Sequence, residues 1–115
     1  MSFDTITTRK LSDAFSVCGQ ILPQHMQAIA AAGFHSIICN RPDSEEWGQP
    51  TYAEIEAAAK SAGLNANFLP VSPAGISVGQ AEQLAHLLKE LPQPILAFCR
   101  SGARSAGLWQ AAQNA

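Results

Sequence analysis

Pro94-Ile95-Leu96-Ala97-Phe98-Cys99-Arg100-Ser101-Gly102-Ala103-Arg104-Ser105 is the stretch that decides the fold. Its first half, Pro94 to Phe98, is apolar throughout and reads as a short buried strand. Ser105 to Gln113 reads as a helix. A thiol, Cys99, therefore stands at the tip of a strand-to-helix turn. Backbone N–H groups at such a turn point toward a common centre and make an anion cradle. Their field favours thiolate over thiol and can bring a cysteine from about 8.5 down to roughly 3.5–7.5. Arg100 and Arg104 add positive charge, so the segment joins a nucleophile, a cradle and a fixed cation.

Working outward, strand-like and helix-like segments alternate. Phe15 to Ile21 reads as a first strand and Ser36 to Asn40 as a second. Asn67 to Val71 reads as a third buried strand, and Ile95 to Phe98 completes the series. Between them, Pro23 opens a helix with Met26, Ile29 and Ala30 on one face and Gly33 at its end. Thr51 with Glu54 and Ser77 with Gln80 each form a capping box. Tyr52, Ile55, Ala59 and Ala62 then follow at helical spacing, as do Ala81, Leu84, Leu88 and Leu91. Arg41 to Pro50 and Ser72 to Ile76 read as loops. Short apolar strands alternating with helices predict an α/β three-layer sandwich. Its sheet is mostly parallel, has four to five strands and carries helices on both faces. Ligands of such sheets bind outside the carboxyl ends of the strands, where Cys99 lies.

The chain has 115 residues, which fits a single domain spanning residues 1–115, either trimmed at its C-terminus or once part of a longer chain. With 47% hydrophobic and 14% charged residues it has a globular profile rather than a disordered one. A net charge of −2 gives no field for nucleic acid or an anionic membrane. No apolar run approaches a membrane span, and Met1 to Thr5 does not open a signal peptide, so a cytoplasmic protein is expected. Cys18, Cys39 and Cys99 are odd in number and widely spaced, against a disulfide framework. There is no C-x-x-C or H-x-x-x-H, and neither a metal nor another cofactor is expected. His25, His35 and His86 are isolated and read as surface or core-edge residues.

Two chemistries use a cysteine at this kind of turn. Cysteine-dependent phosphatases place five residues between cysteine and arginine, whereas rhodanese-type sulfurtransferases often use C-x-x-G-x-R-S. Here Arg104 is the fifth residue after Cys99, so only four intervene. A tighter ring suits a persulfide sulfur better than a tetrahedral phosphoryl group. Phosphatases of this mechanism also need a carboxylic acid to protonate the leaving group, worth roughly 10²–10⁴ in rate. The loop Val71 to Ile76 carries no Asp or Glu, and Phe98 stands where those enzymes carry a histidine. Thiolate and sulfite leave without such help.

Several stretches resemble the beta-lactamase-hydrolase-like, phosphatase-like domain family. They are Ser16-Val17-Cys18-Gly19-Gln20-Ile21, Ala32-Gly33-Phe34, Asn40-Arg41-Pro42-Asp43, Gly48-Gln49-Pro50, and Phe98 to Ser105 with Leu108-Trp109. The resemblance implies a fold similar to dual-specificity phosphatases and activities described as phosphatase or sulfurtransferase. Some members are fused to a persulfide dioxygenase, which implies such a partner and a setting in sulfide metabolism.

The first expectation is a sulfurtransferase that carries sulfane sulfur as a Cys99 persulfide, with a small anionic or thiol substrate. Its alternative is a phosphohydrolase acting through phosphocysteine, and a third reading is a non-catalytic anion- or persulfide-binding module. In each, Cys99 and Arg104 act directly, and Arg100, Ser101, Gly102, Ala103 and Ser105 line the anion site. Arg41 and Asp43, after the second strand, are candidates for a supporting pair or an acid. Glu45 and Glu46 read as solvated loop charges and Trp47 and Trp109 as packing residues. Cys18 and Cys39 read as core residues, with Cys39 the better candidate for a resolving thiol.

Overall fold

The computed structural model describes residues 6–115. A five-stranded sheet contains, in chain order, β1 (Arg9–Ser12), β2 (Phe15–Cys18), β3 (Ser36–Cys39), β4 (Asn65–Phe68) and β5 (Ile95–Phe98). The helices are α1 (Met26–Ala31), α2 (Tyr52–Ser61), α3 (Val78–Glu90) and α4 (Ala103–Ala112). Across the sheet the strands run β1-β2-β5-β3-β4. β1 pairs antiparallel with β2, and every other pairing is parallel.

The strongest apolar run takes the centre because a middle strand is covered on both faces. β5 alternates accordingly. Leu96 and Phe98 join Cys18, Ile37 and Cys39 against Met26 and Ile29 of α1 and Ile55 and Ala59 of α2. Ile95 and Ala97 join Phe15, Val17 and Ile38 against Leu84 of α3 and Leu108 and Ala112 of α4. The expected three-layer sandwich is thus the observed one.

Both capping boxes form. Thr51 Oγ1 accepts from Glu54 N at 3.2 Å, and Ser77 Oγ accepts from Gln80 N at 3.1 Å. The first helix begins instead with a tight turn, Pro23–His25, in which the buried His25 accepts the Leu22 N–H through Nδ1 at 2.9 Å. Burial holds this imidazole below its ordinary pKa, so it stays a neutral acceptor.

Several boundaries differ from the sequence expectation. The first expected strand ends at Cys18 rather than Ile21, because Gly19 and Gln20 turn to pack on the backbone after β5. The third lies at Asn65–Phe68 instead of Asn67–Val71 and is not fully buried. It is an edge strand, paired only with β3, and Phe68 turns outward to stack on Tyr52 with ring centroids 4.6 Å apart. The apolar Leu69 and Val71 are buried just beyond it, which explains the displaced reading. β1 carried no apolar run and was not expected as a strand.

Candidate active site

β5 delivers Cys99 to the carboxyl edge of the sheet, and α4 starts four residues later. Gly102 makes the corner in the left-handed region, with φ of 95°. That conformation turns its N–H back to donate to Cys99 Sγ at 3.0 Å. The N–H groups of Ser105 and Ser101 also act on the sulfur. Of the N–H groups in the first turn of α4, that of Ser105 is thus turned toward the thiol, whereas Ala103 N–H, expected to line the anion site, donates to Ser101 Oγ at 3.3 Å. Burial pushes the Cys99 thiol up, but these N–H groups, with the Ser105 hydroxyl, outweigh it and hold the thiol below its ordinary value.

The β2 loop braces this corner from behind. Gln20 N donates to Arg100 O at 3.3 Å, and Cys99 N donates to Cys18 O at 3.4 Å. A Cβ on Gly102 would lie 3.3 Å from the Cys18 carbonyl carbon and oxygen. Gly102→Ala is therefore expected to cost about 1–3 kcal/mol and to misdirect the N–H that meets Sγ. A lower thermal midpoint together with slower Cys99 alkylation at neutral pH would be the observed result; an unchanged pair of values would contradict this account.

Arg104 comes off the first turn of α4 and is anchored rather than loose. Nη1 and Nη2 donate to Glu45 Oε2 and Oε1 at 2.7 and 2.8 Å, and Nη1 also donates to Val71 O at 2.8 Å. Three of the five guanidinium N–H donors are occupied this way, leaving Nε–H and one Nη2–H, which share an edge. Arg41 is buried beside it. Its Nε donates to Glu45 Oε1 at 3.0 Å, Nη1 to Gln20 Oε1 at 3.0 Å and Nη2 to Glu46 Oε1 at 3.1 Å. The hydrogen bond from Arg104, reinforced by Arg41, pulls the Glu45 carboxyl down to about 2 despite its partial burial.

Glu45 is thus the hub of the site and not the solvated loop charge expected. The other candidates fall as follows. Arg100 points outward, 68% exposed, and meets Glu46 at 3.5 Å. Asp43 accepts the Tyr52 N–H at 2.8 Å, serving the start of α2. Trp47 is 99% exposed, in contrast to the packing role expected, whereas Trp109 stacks on Phe15 at 6.3 Å. Cys18 and Cys39 both lie opposite Phe98 on the neighbouring strands, and burial pushes each up to about 12. A cavity of about 500 Å³ lies beside the loop, lined by Thr7, Arg9, Gln20 and Ser101 among others.

Two further polar residues were not singled out from the sequence. Asn40, at the end of β3, is buried, as is Ser105, and Ser105 Oγ donates to Asn40 Oδ1 at 2.8 Å. Gln20 holds Arg41. Among the described residues no cluster of three or more His, Cys, Asp or Glu is placed to hold a metal, and no helix is long and apolar enough to cross a membrane.

A family model described as the beta-lactamase hydrolase-like protein, phosphatase-like domain matches residues 7–115. A beta-lactamase hydrolase-like protein of Agrobacterium fabrum is 32% identical over 100 residues, covering 87% of this chain. The chain spans 23% of that relative's length. A solved structure from Neisseria meningitidis Z2491, described as a "putative phosphatase", superposes with a TM-score of 0.82 at 34% identity, covering 88% of this chain and 72% of its own. Kinase associated phosphatase superposes with a TM-score of 0.70 at 14% identity, covering 93% of this chain and 71% of its own, a likeness of fold alone. The architecture is accordingly that of the dual-specificity and tyrosine-phosphatase-like proteins.

Proposed function

Because the chain belongs to the beta-lactamase hydrolase-like, phosphatase-like domain family, we propose that it hydrolyses phosphate monoesters through a Cys99 phosphocysteine. The observation that carries this reading is the ring of N–H groups around Cys99 Sγ at the start of α4, with Arg104 held beside it. The thiolate attacks phosphorus, and an S–P bond forms as the ester P–O bond breaks. Water then attacks phosphorus, the S–P bond breaks, and the electron pair returns to sulfur, where the loop N–H groups stabilise it. The unused edge of Arg104, Nε–H and Nη2–H, suits two phosphoryl oxygens, while Glu45 fixes its orientation.

The leaving group must depart with little protonation. Glu45 is locked as a carboxylate, Asp43 is engaged at α2, and the Val71–Ile76 loop has no acid. An aryl phosphate should therefore be turned over at least about 10²-fold faster than an alkyl phosphate. Steady-state assays of both esters across pH 5–8 test this; silence toward the aryl ester at every pH would end the phosphatase reading.

Sulfur transfer, the first expectation from the sequence, remains as a second reading, favoured by the same lack of a proton donor. Cys99 thiolate would take sulfane sulfur from a donor such as thiosulfate, releasing sulfite, and pass it from the persulfide to a thiol or cyanide. Intact mass after exposure to thiosulfate or a persulfide separates the two readings. A gain of one sulfur at Cys99 supports transfer, and no gain with any donor excludes it.

A further inference from the structure

We infer that Trp47 is a specificity-determining residue that stacks on the aryl group of the phosphate ester held at Cys99; this rests on the phosphomonoester reading and narrows its substrate class to esters of flat, uncharged aromatic alcohols. The indole is 99% exposed, although a tryptophan ordinarily buries most of its large apolar surface. Its neighbours fix where it stands. Glu45 meets Arg104, the fifth residue after Cys99, at 2.7 Å, and Glu46 meets Arg100, the first, at 3.5 Å. Trp47 follows at once, with its Cα about 3.8 Å from that of Glu46. The indole is therefore rooted at the rim of the cradle, where Arg100 reaches solvent.

The loop is built to hold it there. Gln49 Nε2 donates to Pro42 O at 2.9 Å, Gln49 Oε1 accepts the Glu45 N–H at 3.2 Å, and Gln49 N donates to Glu46 O at 3.2 Å. Ser44 and Gly48, which flank Glu45 to Trp47, take left-handed φ values of 64° and 84°. A left-handed serine is unfavourable by itself, so the turn is held by its bonds and not by local preference. The side chains of Glu45, Glu46 and Gln49 are all engaged in bonds, whereas the indole is left in solvent. With the backbone already ordered, only the two indole torsions remain to be fixed on binding.

The chemistry at Cys99 calls for the same group. Without an acid in the Val71–Ile76 loop, the leaving oxygen must depart with little protonation, as that of an aryl ester does. A concavity of about 430 Å³ beside the indole is lined by Ser44, Gly48, Gln49 and Thr51. The charged residue among its walls, Glu46, already has one oxygen on Arg41 and the other facing Arg100. Its charge is thus matched within the protein, and a neutral ring laid over the indole gains offset stacking.

The test is protection of Cys99 from iodoacetamide, followed as the mass of its own peptide, by two phosphonates that cannot be hydrolysed, naphthylmethylphosphonate and methylphosphonate. The wild type should be protected by the naphthyl compound at an about tenfold lower concentration. Trp47→Ala should bring this preference close to unity, and Trp47→Phe should keep most of it. An indole this exposed packs on nothing, so the thermal midpoint of Trp47→Ala should be unchanged. A preference that survives in Trp47→Ala would overturn the inference, as would a wild type protected equally by both compounds or by neither. Protection needs no turnover, so the two readings fail separately. A preference lost in Trp47→Ala, in a protein that leaves naphthyl phosphate intact, would refute hydrolysis and uphold the stacking; hydrolysis with an undiminished preference would do the reverse.

Discussion

Aryl phosphate turnover is expected to fall on the order of a thousandfold or more when Cys99 is replaced by serine. The loop stabilises an anion on this atom before substrate arrives, and a serine hydroxyl at the same place stays protonated. The loss should be chemical and not structural. Cys99 is 1% exposed at the end of the central strand, and serine fills nearly the same volume. An unchanged thermal midpoint with turnover at background is the expected pair of results. Cys18→Ser and Cys39→Ser should retain the Cys99-dependent chemistry, because burial pushes both thiols up to about 12 and so disfavours their thiolates. Persistent turnover in Cys99→Ser, with loss in either other variant, would assign the nucleophile elsewhere. Rapid quenching of the wild-type reaction should trap phosphate on the Cys99 peptide.

Glu45→Gln should weaken both the fold and the site. One carboxylate receives Arg104 at 2.7 and 2.8 Å and Arg41 at 3.0 Å, and Arg41 is 3% exposed. Removing the charge leaves a buried guanidinium with only Glu46 as its anion, which should cost about 2–4 kcal/mol. For a domain whose total stability is of the order of 5–15 kcal/mol, this is a large fraction. Arg104 would also lose the partner that aims its remaining edge, so kcat/KM should fall about 10²-fold even where the variant is folded.

The pH dependence gives a separate signature. Folding lowers the Glu45 pKa from 4.5 to about 2. A depressed carboxyl contributes stability that is complete above its unfolded value and disappears as pH falls through the folded one. About 3 kcal/mol should therefore be lost from the wild type between pH 5 and pH 2, and this component should be missing from Glu45→Gln. Denaturant titrations of both proteins over that window should converge at the acid end. Parallel curves would show that Glu45 is not the hub.

Much of the scaffold was readable locally. The Ile95–Phe98 run, the two capping boxes and the strand-to-helix corner at Gly102 depend on residues only a few positions apart. The edge strands were read poorly for a reason of the same kind. β1 has no apolar run, and β4 exposes Phe68 while its buried neighbours Leu69 and Val71 lie outside the ladder. A periodicity reading follows burial, and at a sheet edge burial and hydrogen bonding part company.

By itself the sequence determined a central buried strand, a thiol at its carboxyl end and a helix that starts beside that thiol. It also determined the four-residue interval that puts Arg104 on the first turn of α4. Only the tertiary structure decided what stands around them. Glu45 meets Arg104 across 59 positions, and Asn40 meets Ser105 across 65. Both contacts exist because β3 pairs beside β5 in parallel, so that the loops following them leave the same edge of the sheet. Strand order is a global minimum over all pairings, whereas charge and hydrogen-bond partners are chosen only after it is fixed. For that reason Glu45 read as a solvated charge in the sequence and became, in the fold, the carboxylate on which both arginines rest.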